Sequence, residues 1–177
     1  ADVEAAQAAL AEAGYPNGEG FPTLKLSYYQ DDTVKKIVEA MAEMLKNNLN
    51  INVEVSSNDW AIFYEDVQQG NYEVAAMGWS ADYLNPMSFL PLFKTGDSSN
   101  NSFYSNPEYD ALVEQVMQES DSAKAAELTM QAADLVSNDY CCLPLYYKSN
   151  SFLMHDNISG YYMTASSNLY FKNVVVS

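Results

Sequence analysis

Apolar residues recur every three or four positions at Val34, Ile37, Val38, Met41 and Leu45, while Lys35, Lys36, Glu39 and Glu43 fill the opposite face. This spacing predicts an amphipathic helix from about Asp32 or Thr33 to Asn47. The carboxylates of Asp31 and Asp32 suit its start, where they cap free N–H groups and offset the helix dipole. On either side the period changes to two. Leu24 and Leu26 alternate with polar neighbours between Thr23 and Tyr29, and Ile51, Val53 and Val55 alternate with asparagine, glutamate and serine, so both stretches predict strands. Asn58 or Asp59 can cap a further helix through Trp60, Phe63 and Val67 to Gly70, and Tyr72 to Met77 reads as a third strand. Strand, helix, strand, helix, strand is the order of an α/β fold with a mainly parallel sheet flanked by helices.

Asp2 can cap a first helix with Val3, Ala6 and Leu10 on one face, which Gly14 and Pro16 end, and Asn17-Gly18-Glu19-Gly20 is a turn. Beyond the third strand, Pro86 to Phe93 suits a short helix, and Thr95 to Asn101 is a polar loop. Asn106-Pro107 starts a helix carrying Leu112, Val113 and Val116, and Asp121 starts another through Leu128, Leu135 and Val136. Cys142 to Tyr147, Ser151 to Met154 and Leu169 to Val176 read as strands. No internal repeat or low-complexity linker interrupts the 177 residues, and 1–177 is expected to be a single domain.

Charge narrows the partners. With 24 acidic and 8 basic residues the formal charge is −16, which repels nucleic acid phosphates and anionic lipid head groups, so no nucleic acid partner is expected. The acidic residues are spread along the chain and read first as a solvated surface. The only cysteines, Cys141 and Cys142, are adjacent, where an ordinary disulfide is strained, and they read as two small apolar residues entering a strand. No apolar run approaches the roughly 20 residues of a membrane span, and the N-terminus lacks a signal pattern, so any export signal is expected outside this chain.

Catalytic chemistry is poorly supplied. The sole histidine, His155, stands beside Asp156 in a surface turn, and no nucleophile and base share a recognisable spacing. No zinc set, alternating calcium loop or glycine-rich phosphate cradle occurs, so no catalytic residue, metal ligand or cofactor is expected.

Recognition remains. The run Gly78-Trp79-Ser80-Ala81-Asp82-Tyr83, followed by Asn85-Pro86, places one acidic group among aromatic and small residues past the third strand's carboxyl end, where open α/β sheets bind ligands. A partly buried carboxylate there needs a cation or several donors, and a peptide α-ammonium would serve. Alternatively Asp82 caps a turn with Tyr83 and Asn85. Trp60 and Trp79 suit either the core or a ligand surface, and Ser80 and Gly78 suit backbone contact at close approach.

The same run, with Gln69-Gly70-Asn71-Tyr72-Glu73-Val74-Ala75 before it, resembles the ligand-cleft segment of the bacterial oligopeptide- and dipeptide-binding proteins that feed ABC transporters. Leu10-Ala11-Glu12-Ala13-Gly14-Tyr15-Pro16, Tyr104-Ser105-Asn106-Pro107-Glu108-Tyr109-Asp110 and Leu143-Pro144-Leu145-Tyr146-Tyr147 follow that family's order. The resemblance implies a periplasmic-binding-protein type II lobe, with 1–177 as most of the C-terminal lobe and the N-terminal lobe missing. It also implies an extended peptide ligand with its amino terminus on the aspartate matching Asp82, and tryptophans at the positions of Trp60 and Trp79 bordering the cleft. A membrane ABC permease is the implied partner. The implied location is extracytoplasmic, the periplasm or the outer face of the cell membrane, with lipid anchoring through a segment absent from this chain. Val67 and Ala76 stand where some of these binders carry arginine, and Lys148 where they carry an aromatic. Two other readings stay open: a non-peptide solute such as a sugar, metal chelate or haem on the same architecture, and a hydrolase.

Overall fold

The computed structural model describes residues 2–149, 151, 153–164 and 168–177. The chain divides into two compact units, Ala1–Gly78 and Trp79–Ser177.

The first unit begins with α1 (Val3–Glu12), capped by Asp2, whose Oδ1 accepts the Ala5 N–H at 3.0 Å. A tight turn at Pro16–Gly18 leads to β1 (Leu24–Tyr29), α2 (Asp32–Leu49), β2 (Val53–Asn58), α3 (Trp60–Gln69) and β3 (Val74–Ala76). Asp31 caps α2 by accepting the Thr33 and Val34 N–H groups, and Asp59 caps α3 through Ala61 and Ile62. Asn50 and Gly70 end these helices in the left-handed conformation. All three strands are parallel in the order β2-β1-β3, with Leu26 opposite Val55 on one side and Val74 on the other.

That order explains the layering. From the central β1 the chain crosses one way to β2 and back past β1 to β3, and crossovers of one hand then place the two helices on opposite faces. Leu26 and Tyr28 on one face of β1 pack with Val34 and Val38 of α2. Tyr29, which alternates to the other face, meets Trp60 and Phe63 of α3.

In the second unit the expected helix over Pro86 to Phe93 resolves into two tight turns, Pro86–Ser88 and Leu90–Phe93. The prolines at 86 and 91 lack the N–H that a continuing helix uses. Helix α4 (Pro107–Gln118), capped by Asn106, and α5 (Ser122–Asn138), capped by Asp121, form a helical hairpin. Tyr109, Leu112, Val113 and Val116 of α4 pack on Leu128, Ala132 and Val136 of α5, with Leu90 joining this core.

The C-terminal expectations need correction. Cys142 to Tyr147 forms no strand, and Cys141 packs against the helical core while Cys142 is exposed. Pro144 interrupts that stretch and cannot donate to a ladder. None of the described residues of Ser151 to Met154 is a strand, and residue 152 lies outside the described residues. Leu169 to Val176 contains two short strands instead of one. Strand β4 (Ile158–Ser159) pairs antiparallel with β7 (Val175–Val176), and β5 (Tyr162–Met163) pairs with β6 (Leu169–Tyr170).

Candidate functional site

Two groups of candidate residues fall in different units. Trp60 opens α3 in the first unit, one residue after the Asp59 cap at the carboxyl end of β2. Its indole stacks on Tyr64 at 5.3 Å between ring centroids and 12° between planes, and Tyr29 meets it edge-on at 5.3 Å. Trp60 stays 50% exposed, so the core role open to it in the sequence is not the one it takes. The stack holds one rotamer while leaving apolar surface in water, a geometry suited to contact with a ligand. Gly78 ends this unit, and a Cβ added there would meet open space, so its lack of a side chain answers no steric demand within the protein.

Trp79, Ser80, Asp82 and Tyr83 begin the second unit. The loop they form is closed by Ser88, which is buried at 6% exposure. The Trp79 indole N–H donates to the Ser88 carbonyl at 2.8 Å, and the Asp82 backbone N–H donates to the Ser88 hydroxyl oxygen at 2.8 Å. Inside the loop Asn85 N–H donates to the Tyr83 carbonyl, and Asn85 Oδ1 accepts the Met87 N–H at 2.9 Å. Asn85, and not Asp82, therefore caps the turn.

The Asp82 carboxylate is exposed and, among the described residues of its unit, has no hydrogen-bond or ion-pair partner. This corrects the expectation of a partly buried carboxylate. Tyr83 is exposed, Ser80 is exposed, and Trp79 keeps 41% of its surface in water while its N–H is bonded. Fixed backbone, a free carboxylate and a half-exposed indole present a cation-accepting, ring-contacting surface. Ser88 escaped the sequence reading because an isolated serine carries no motif; its position two residues after Pro86 was the only signal.

The other chemical groups lie elsewhere. His155 is exposed beside the turn that its carbonyl helps close. Burial pushes the Cys141 thiol up to about 11, away from a reactive thiolate. Val67 is buried in the first unit, so the position at which an arginine occurs in some peptide binders is here an apolar anchor of α3. Among the described residues no three metal-ligating side chains gather, and no helix is long and apolar enough to cross a membrane.

Comparison with known proteins adds a family. Residues 1–101 match the model for bacterial extracellular solute-binding proteins, family 5 Middle. The oligopeptide-binding protein OppA of Bacillus subtilis is 32% identical over 165 residues, 93% of this chain and 30% of that protein. The periplasmic oligopeptide-binding protein OppA of Salmonella typhimurium is 33% identical over 174 residues, 98% of this chain and 32% of that protein. Among solved structures, Haemophilus influenzae OppA in complex with RPPGFSPFR superposes with a TM-score of 0.85 at 28% identity, covering 98% of this chain and 34% of that one. The chain spans about a third of the length of these relatives, and the shared architecture is that of a periplasmic-binding-protein type II lobe.

Proposed function

Because the chain belongs to family 5 of the bacterial extracellular solute-binding proteins, we propose that it forms most of the C-terminal lobe of an extracytoplasmic peptide-binding protein that serves an ABC importer. The observation that supports this reading is the Asp82 carboxylate, free on a backbone already fixed by Ser88. Asp82 accepts the peptide's α-ammonium in a charge-assisted bond. Trp79, Ser80 and Tyr83, beside it in the second unit, contact the rest of an extended ligand, whose main chain bonds to protein main chain as an added strand would; Gly78 and Trp60 are the ligand-contact candidates of the first unit. Such bonding tolerates varied side chains and involves no chemical step. An N-terminal lobe closes over the ligand by a hinge motion, and the closed protein meets a membrane permease. A lipid anchor on a segment outside this chain would hold it at the cell surface.

Exposure sets the magnitude. An ion pair in open water contributes about 0–1 kcal/mol, so this chain alone should bind peptides weakly. Closure that removes water from Asp82 raises the loss on Asp82→Ala to about 2–5 kcal/mol in the full-length protein. The test is isothermal titration of the full-length protein with tri- to pentapeptides, free or acetylated at the N-terminus. Binding that disappears on acetylation supports the anchor. Equal binding of both forms discards it, and binding of neither redirects the search to non-peptide solutes.

A further inference from the structure

We infer that Ser88 is the positioning residue for the Asp82 anchor: its buried hydroxyl fixes the Asp82 backbone before any ligand arrives. The inference rests on the peptide-binding reading above and adds a residue to it. Ser88 does not touch the ligand. It sits at the end of the Pro86–Ser88 turn at 6% exposure, and its own N–H donates to the Asn85 carbonyl at 3.0 Å.

Two bonds converge on this one residue from the candidate site. Its carbonyl accepts the Trp79 indole N–H and its hydroxyl oxygen accepts the Asp82 N–H, each at 2.8 Å. The first bond uses the backbone and survives any substitution at 88; the second needs the side chain. Asp82 is therefore a residue whose main chain is tied to a buried point while its carboxylate reaches water. A carboxylate on an untied loop must be ordered when the ligand binds, and that ordering subtracts from affinity. Tying the backbone beforehand removes the loss. Ser88→Ala leaves the Asp82 N–H facing a buried methyl group and lets the carboxylate wander, without changing a ligand contact.

The consequence is selective. Only the interaction made by Asp82 should weaken, so the loss should depend on the ligand's free amine. The experiment is a double-mutant cycle of Ser88→Ala with Asp82→Ala in the full-length protein, titrated with tri-, tetra- and penta-alanine, each free and N-acetylated. Ser88→Ala should weaken free peptides about five- to tenfold, the size of one lost neutral hydrogen bond. It should leave acetylated peptides unchanged and add nothing once Asp82 is alanine. The Trp79 indole N–H resonance should keep its bonded shift, which reports that the loop is still folded.

Equal weakening of free and acetylated peptides, or a full loss in the Asp82→Ala background, overturns the inference by making Ser88 a general structural residue. A silent Ser88→Ala with a weakened Asp82→Ala overturns Ser88 alone. A silent Asp82→Ala overturns the anchor and the role of Ser88 with it. Should the alanine variant fail to fold, Ser88→Cys, a slightly larger side chain of the same shape, fills the site and weakens the acceptor, and the same comparison applies.

Discussion

Tyr109→Phe isolates the bond that ties the candidate loop's far end to the helical core. Tyr109 is 1% exposed, and its hydroxyl donates to the Leu90 carbonyl at 2.7 Å. Its ring meets Phe93 edge-on at 6.4 Å and Tyr104 at 5.7 Å. Phenylalanine keeps the buried ring area and both edge contacts and removes only the hydroxyl. The expected destabilisation is therefore that of one neutral buried hydrogen bond, about 0.5–1.5 kcal/mol. For a chain of this length about 1 kcal/mol lowers the melting temperature by about 2–4 °C. Truncation to alanine would instead lose the ring and leave a cavity, at about 3–5 kcal/mol. Circular dichroism melting measures the shift, and hydrogen exchange of residues 85–93 locates it. Faster exchange there with a small shift in melting is the expected result. An unchanged melting temperature and unchanged exchange would refute the idea that this bond holds the 79–88 loop on α4.

Two further substitutions test other parts of the fold. The Asp139 carboxylate accepts the Tyr104 hydroxyl at 2.6 Å and the Asn106 amide at 3.0 Å, and these bonds hold it below the ordinary carboxylate range. A depressed carboxylate stabilises above its unfolded value of about 4 and loses that contribution as pH falls through its folded value. Melting temperatures of Asp139→Asn should thus lie below the parent near neutrality and converge with it as the pH falls to about 2; parallel curves would exclude the linkage. Gly18 has φ +74° and approaches the Leu49 carbonyl, whereas Gly20 has φ +77° with open space around it. Gly18→Ala should destabilise by about 1–3 kcal/mol in urea unfolding and by more than Gly20→Ala; equal effects would mean that the close approach is unimportant.

Legibility followed the range of the interactions. Helix starts were readable because Asp2, Asp59, Asn106 and Asp121 cap within three residues of themselves. Strands β1 and β2 were readable because alternation at Leu24, Leu26, Val53 and Val55 reflects a buried face. The stretch Leu143 to Tyr147 has the same apolar richness and forms no strand, since apolarity states a preference for burial and cannot name the partner that satisfies it. Exposure at Trp60 was equally hidden. A tryptophan at the start of an amphipathic helix suits core and surface alike, and only its stack on Tyr64 shows the ring held at the surface.

In the proposed site, Ser88 and Asp82 divide what ligand binding needs between two kinds of residue. Asp82 brings charge and stands in a run that sequence alone singles out; Ser88 brings fixed geometry and stands in none. A carboxylate fully satisfied by its own loop would be stable and useless to a ligand, because its acceptor capacity would already be filled. Here the backbone of Asp82 is satisfied while the side chain is left open, with Asn85 taking the capping role that an aspartate could have filled. The same division applies at Trp79, where the polar N–H is bonded inward and the ring face is left outward. Under the proposed function, satisfying the polar handle internally and exposing the interacting surface lets both residues meet a ligand without first breaking a bond.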